Sequence, residues 1–377
     1  MLIDQLKSRL PKRVRRSLAM TRIATSAKLA GGKGSVDFCK SAVSAALRTD
    51  RAFGRPVHVS IEPTNICNLR CPVCETGDGT LGRRGGHMEI DAFRHVVDSM
   101  EDHLNVLYFY FMGEPFLVKN AYEMVEHASS KNIWVDTCTN GEFVDAKNLI
   151  DSGIGRVSFQ IGGMTQETHE TYRVRGNLDR SLANLEACIE EKRRRPDART
   201  QLKVGFIVMH HNEHEVDQFI RYAEDIGVDG YEVVCPCARN MEQANQFLTK
   251  DPNYWIYDRD SYDRGILRPT DLSDHYCEWL YFTTTIQVNG DVVPCCRDPR
   301  GNYVLGNVFE QDFVEEIWNG PSYRDFRHTV ANNQKDSGLC SLCSGYTAPD
   351  VTRHDEPAVP VESPSPTSRK ADLVRKG

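Results

Sequence analysis

"VHVSIEPTNICNLRCPVC", residues 57–74, joins a β-branched apolar run to three cysteines packed into eight positions. The first part, 57–63, has the composition of a strand. Cys67, Cys71 and Cys74 then fall on the loop that leaves its C-terminal end, spaced C-x-x-x-C-x-x-C. Structural zinc is closed by four ligands and usually begins with a C-x-x-C pair. Between residues 59 and 86 there is neither a His nor a fourth Cys. Three thiolates suit three irons of a cubane [4Fe–4S] cluster and leave the fourth iron open to another ligand.

Outward from this loop, short β-rich runs alternate with amphipathic helical stretches. Further strands are predicted at 106–111, 133–139, 156–162, 202–209 and 230–236, with helical text such as "DAFRHVVDSM" and "SLANLEACIEEKRRR" between them. Alternating strand and helix implies parallel strands with right-handed crossovers. The expected fold class is therefore α/β: a partial (β/α)6 TIM-like barrel whose chemistry sits at the strands' C-terminal mouth. Near residue 267 the pattern changes. "YFTTTIQVNGDVVPC" reads as a β-hairpin turned at Asn289-Gly290, and "FVEEIWNGPSYRDFRHTV" as helix interrupted by Gly-Pro. The expected organisation is a basic helical extension over 1–54, a barrel core over 55–266, a hairpin-plus-helix domain over 267–347 and a disordered tail over 348–377.

Composition narrows the classes. The 377 residues are 40% hydrophobic and 26% charged, which suits a soluble globular protein. No run approaches the ~18–20 apolar residues of a membrane span, and no secretory signal is evident, so a cytoplasmic protein without a transmembrane segment is expected. Thirteen cysteines in such a chain point to metal rather than disulfides. Residues 1–50 sum to +8 within a total of -7. That basic arm suits either binding to a membrane or nucleic acid or packing against the acidic body, and the second is the simpler expectation. No motif supports specific nucleic-acid binding.

With the second predicted strand ending in "FMGEP", the chain resembles the radical S-adenosylmethionine (SAM) superfamily. The resemblance implies that the open iron chelates SAM and that Gly113 and Glu114 hold its amino group. It also suggests Ser158 and Gln160 on the fourth strand, and Arg173 or Arg175 in "YRVRGN", as contacts to ribose or carboxylate. Asn212 and Glu215 in "VMHHNEHE" are weaker candidates, with helix capping as the alternative. Val73 stands where an aromatic is usual, and Met112-Gly113 where the family has two glycines.

A second set follows: Cys277, then Gly290 and Cys295, then Cys340 and Cys343 as C-x-x-C. Four thiolates complete a cluster with no open iron, or equally a zinc ribbon. The arrangement resembles the auxiliary-cluster SPASM extension in its one-cluster "twitch" form, implying a second, auxiliary [4Fe–4S] cluster. Cys235 and Cys237, at the end of the sixth strand, are candidate hydrogen donors, with buried packing as the alternative.

The resemblance implies reductive cleavage of SAM and hydrogen abstraction by the resulting 5′-deoxyadenosyl radical, with a flavodoxin- or ferredoxin-type electron donor. The expected substrate is a small polyhydroxylated or aminated molecule, undergoing oxidation or epimerisation. A maturase of a ribosomally made peptide is the alternative, and a non-catalytic zinc-binding module is the alternative of another class.

Overall fold

The computed structural model describes residues 34–343. The expected disordered tail and residues 1–33 of the expected N-terminal extension lie outside them. All six predicted strands are present: β1 His58–Ile61, β2 Val106–Tyr108, β3 Trp134–Thr139, β4 Arg156–Ile161, β5 Gln201–Ile207 and β6 Gly230–Val234. Each pairs in parallel with its sequence neighbour, giving the order β6-β5-β4-β3-β2-β1. Helices Ile90–Ser99, Ala121–Ser130, Ala146–Asp151, Leu178–Arg193 and Val216–Ile226 make the crossovers.

Strand alternation sorts the side chains into two faces. Val59, Leu107, Val135, Val157, Phe159, Val204 and Phe206 join the main core beneath the helices. Burying each such side chain stabilises the fold by about 1.5–3 kcal/mol. The alternate residues Ser60, Tyr108, Asp136, Cys138, Ser158 and Gln160 occupy the opposite, concave face. A polar concave face is unsuited to core packing and suited to a polar ligand.

The C-terminal hairpin extends this same sheet. Strands β7 Thr283–Ile286, β8 Asp291–Val293 and β9 Gly306–Asn307 complete a nine-stranded order ending β2-β1-β7-β8-β9. β7 runs parallel to β1, from His58 opposite Thr283 to Ile61 opposite Ile286. The β7–β8 turn uses Gly290 at φ +85°, where a Cβ would stand 2.5 Å from the Phe309 ring. Beyond it, a π-helical turn Phe313–Trp318 precedes the helix Pro321–Asn333, whose first residue is proline. Proline's missing N–H costs nothing at that position.

The helix Ser35–Leu47 and the strap after it dock on these C-terminal elements. Phe38 packs on Phe282 with ring centroids 4.9 Å apart, and Trp318 Nε1 donates to the Gly54 carbonyl at 2.8 Å. Buried Arg327 donates to the carbonyls of Leu280 and Trp318, both at 2.9 Å, and lies over the Tyr323 ring at 4.2 Å.

Candidate active site at the barrel mouth

The cysteine loop is closed at its base by its own polar residues. Thr64 Oγ1 donates to the Gly86 carbonyl at 2.8 Å, and Asn65 bonds Arg84 and Gly86 from its two side-chain atoms. Glu62, fully buried, accepts both Arg83 terminal nitrogens at 2.7 Å and the Val288 N–H at 2.9 Å. Arg83 Nε continues to the Pro299 carbonyl at 2.6 Å. One buried ion pair thus ties the first cysteine loop to the hairpin and to the loop after Cys295.

Cys67, Cys71 and Cys74 line one cavity at the strands' C-terminal ends. Burial, with Glu114, Cys71 and Cys74 adding like charge, pushes the Cys67 thiol up to about 12; burial also raises Cys74. Arg173 Nη1 lies 3.9 Å from Cys71 Sγ, so a cation already faces the sulfurs. As thiolates, three sulfurs sharing one cavity would repel one another and be favoured by a strongly cationic guest. Among the described residues no group of His, Cys, Asp and Glu could hold a metal ion directly. Three cavity-lining thiols with no fourth ligand beside them suit an open-site iron–sulfur cluster rather than a four-ligand zinc site.

Gly113 and Glu114 are pinned against this loop. Glu114 N donates to the Ile66 carbonyl at 2.9 Å, and Gly113 has φ +81°. A Cβ on Gly113 would meet the Thr64 carbonyl oxygen at 2.6 Å, so only glycine permits the approach. The Glu114 carboxylate accepts from Thr139 Oγ1 at 2.7 Å and Asn140 N at 2.8 Å. Burial outweighs these bonds and raises its pKa to about 7. A desolvated carboxylate beside an open cavity is a receptor for an ammonium.

The remaining candidates divide. Gln160 and Arg173 line the cavity, and Arg173 Nε is buried without a hydrogen-bond partner. Ser158 sits behind Gln160, accepting its Nε2 at 2.8 Å. Arg175 is not among the cavity-lining residues. Asn212 bonds Gly162, Ile207 and Met209, while Glu215 accepts from Met164 N and Thr168; both staple loops and are buried rather than surface caps. Cys237 packs against the Leu69–Cys71–Phe247 cluster, and Cys235 lies near Tyr254. Neither lines the cavity; Cys138 on β3 does, its thiol pushed up to about 12 by burial. Alternation along β3 carried that signal, because Cys138 shares a face with Asp136 and not with Val135.

Sequence reading also missed the lid over the loop's outer side. The helix Met241–Phe247 brings Gln243 Nε2 to the Pro72 carbonyl at 3.0 Å, and Arg239 pairs with Glu75 at 2.9 Å.

The second cysteine set assembles from three distant segments. Cys277 precedes the short helix Trp279–Phe282, Cys295 follows β8, and Cys340 and Cys343 follow the helix Pro321–Asn333. Burial raises Cys277, with Cys343 and Cys340 adding charge repulsion, and it also raises Cys295 well above an ordinary thiol, with Cys296, Cys340 and Cys277 contributing. Cys340 O accepts from Gln334 Nε2 at 2.9 Å, and Cys343 O from Ser273 N at 2.8 Å. Cys296 is exposed.

The Radical SAM superfamily model matches residues 61–223, and the SPASM iron-sulfur cluster-binding domain model matches residues 277–344. Mycofactocin maturase MftC of Mycolicibacterium smegmatis is 22% identical over 79% of this chain and 78% of its own. The AdoMet-dependent heme synthase of Methanosarcina barkeri is 24% identical over 76% of this chain and 88% of its own. PqqA peptide cyclase of Bradyrhizobium diazoefficiens is 27% identical over 49% and 48%. Among solved structures, Streptococcus suis SuiB bound to S-adenosylmethionine superposes with a TM-score of 0.55 at 14% identity, covering 77% of this chain and 72% of that one. AnSMEcpe with bound AdoMet gives 0.53 at 16%, covering 77% and 88%.

Proposed function

From the premise that the chain is a radical SAM superfamily enzyme with a C-terminal SPASM iron–sulfur domain, we propose that it modifies a peptide. Its cofactors are SAM, a SAM-binding [4Fe–4S] cluster and an auxiliary iron–sulfur cluster. The observation that carries the peptide reading is the likeness, across three-quarters of the chain, to a relative named as a mycofactocin maturase, beside a shorter match to a peptide cyclase. A small polyhydroxylated substrate has no comparable support: the likeness to BtrN in complex with 2-DOIA has a TM-score of only 0.45.

Cys67, Cys71 and Cys74 would hold the SAM-binding cluster, and Cys277, Cys295, Cys340 and Cys343 the auxiliary one. When bound, these groups would supply reductive cleavage of SAM, a 5′-deoxyadenosyl radical for hydrogen abstraction and an acceptor for the electron that the substrate radical gives up. The chain's own residues bind and orient. Glu114, held by Thr139 and Asn140, would receive the methionine ammonium, and Gly113 lets the segment after β2 lie against Thr64 and Ile66 of the cysteine loop. The buried, unpartnered Nε of Arg173 would serve the methionine carboxylate, and Gln160, braced by Ser158 and lining the cavity, would serve the ribose. Leu69, Tyr172 and Phe247 surround the loop with apolar surface that excludes water. Cys138 is a better-placed hydrogen donor than Cys235 or Cys237, because it lines the cavity and they do not. A flavodoxin- or ferredoxin-type protein is the proposed electron donor.

The test incubates anaerobic, reconstituted protein with SAM and reductant, adding candidate peptides, a tetrapyrrole or an aminocyclitol. A peptide should raise 5′-deoxyadenosine formation above background and itself change mass. Acceleration by the tetrapyrrole or aminocyclitol alone overturns the peptide reading.

A further inference from the structure

The helix Ser35–Leu47 is turned inside out. Its buried face consists of Asp37, Ser41, Ser44 and Ala45, three of them polar. Its opposite face exposes Val36 at 66%, Val43 at 50% and Leu47 at 65%, and the strap after it exposes Phe53 at 50%. Positions 36, 43 and 47 fall on one stripe at helical spacing. Lys40 lies exposed along that stripe, and Arg51 lies exposed beside Phe53. Scattered exposed apolar residues need no explanation, but three on one helical stripe, with Phe53 tied to the same helix through its N–H to Ser44 Oγ at 2.8 Å, mark a contact surface.

What adjoins the stripe in the chain identifies the occupant. Residues 1–33 contain nine Lys or Arg against a single acid, Asp4, and repeat an apolar residue every four positions at Leu2, Leu6, Leu10, Val14 and Leu18. An apolar contact and a polybasic segment are the two weak signals whose combination gives stable adsorption to a bilayer. Anionic headgroups attract such a segment, and the attraction falls off within a Debye length. A second copy of the chain would bring the same positive charge to the contact and be repelled. The chain's own acidic body would satisfy the charge but leave the stripe in water.

We propose that this end of the protein docks on an anionic lipid surface, with Val36, Val43, Leu47 and Phe53 seated at headgroup level. Gly34, at the start of the helix, lies against His103 and Asn105 just ahead of β2, so this surface is at the strands' N-terminal end, away from the barrel mouth.

The test uses the full-length protein and sedimentation with vesicles of phosphatidylglycerol mixed with phosphatidylcholine, or of phosphatidylcholine alone. Mixed vesicles should carry the protein down and neutral vesicles should not; raised salt should release it. The paired substitution V43D/L47D should weaken binding about tenfold or more, while its melting temperature and SAM cleavage stay those of the parent. The milder V43S/L47S should weaken it less, which covers any loss of folding in the aspartate pair. Failure to sediment with anionic vesicles overturns the proposal, as does binding that the substitutions leave untouched. A dimer in solution that V43D/L47D dissolves overturns it too, assigning the stripe to a second copy.

Discussion

The two cysteine sets solve opposite problems with the same side chain. Cys67, Cys71 and Cys74 come from one loop closed by Thr64 and Asn65, and they face an open cavity shared with Glu114 and Arg173. Cys277, Cys295, Cys340 and Cys343 come from three segments brought together by β7, β8 and the helix Pro321–Asn333. On the proposed assignment, three thiols leave one iron open to a ligand, and four thiols close the second cluster. A catalytic site therefore rests on short-range geometry beside a void, whereas an auxiliary site rests on long-range folding and closure.

The sharpest break in that comparison removes the open set. Cys67→Ala, Cys71→Ala or Cys74→Ala should abolish 5′-deoxyadenosine formation and remove about four irons, read by chromatography and iron analysis. Full activity in any of these variants would end the assignment. Substituting any one of Cys277, Cys295, Cys340 or Cys343 by Ala should also cost about four irons. There the outcome differs, because peptide turnover is lost while SAM cleavage without substrate persists.

The link between the sets is next in size. Arg83→Met leaves the fully buried Glu62 without its partner, and breaking such a pair costs about 3–5 kcal/mol. Burial already outweighs Arg83 and raises the Glu62 pKa. In the variant the folded state therefore holds a proton that the unfolded state releases. Stability is then retained at low pH and lost as pH rises through the raised pKa. Melting curves against pH check the sign: a defect that shrinks with rising pH contradicts it.

These contrasts also explain what the sequence disclosed. Six strands and the three-cysteine loop were legible because strand alternation and close cysteine spacing are local signals. The parallel pairing of β7 with β1 was not, since nothing near residues 283–286 names a partner over two hundred residues away. The lid helix Met241–Phe247 was missed because it is short and polar, capped by Asn240 and packed on Pro72 only in the folded chain. Asn212 and Glu215 were noticed for their chemistry, yet every bond they make closes a loop.

Within the open set, Glu114→Gln keeps the shape and removes the charge. A hydrogen bond to a charged group contributes about 1.5–3 kcal/mol, so SAM affinity should fall about 10- to 100-fold while both clusters assemble. Equilibrium binding to the reconstituted protein reads it. Unchanged affinity would mean that Glu114 serves only its Thr139 and Asn140 contacts.

The smallest expected effect tests closure most directly. Cys295 and Cys296 are chain neighbours, so either could be the fourth thiol on spacing alone. Burial raises Cys295 well above an ordinary thiol, with Cys340 and Cys277 within electrostatic reach, whereas Cys296 is exposed. Cys296→Ser should therefore leave iron content, the electron paramagnetic resonance of the reduced clusters and turnover at parental values. Loss of about four irons in that variant would show that the auxiliary set closes through the exposed thiol. The contrast between an open cage and a filled one would then have to be redrawn around a solvent-facing ligand.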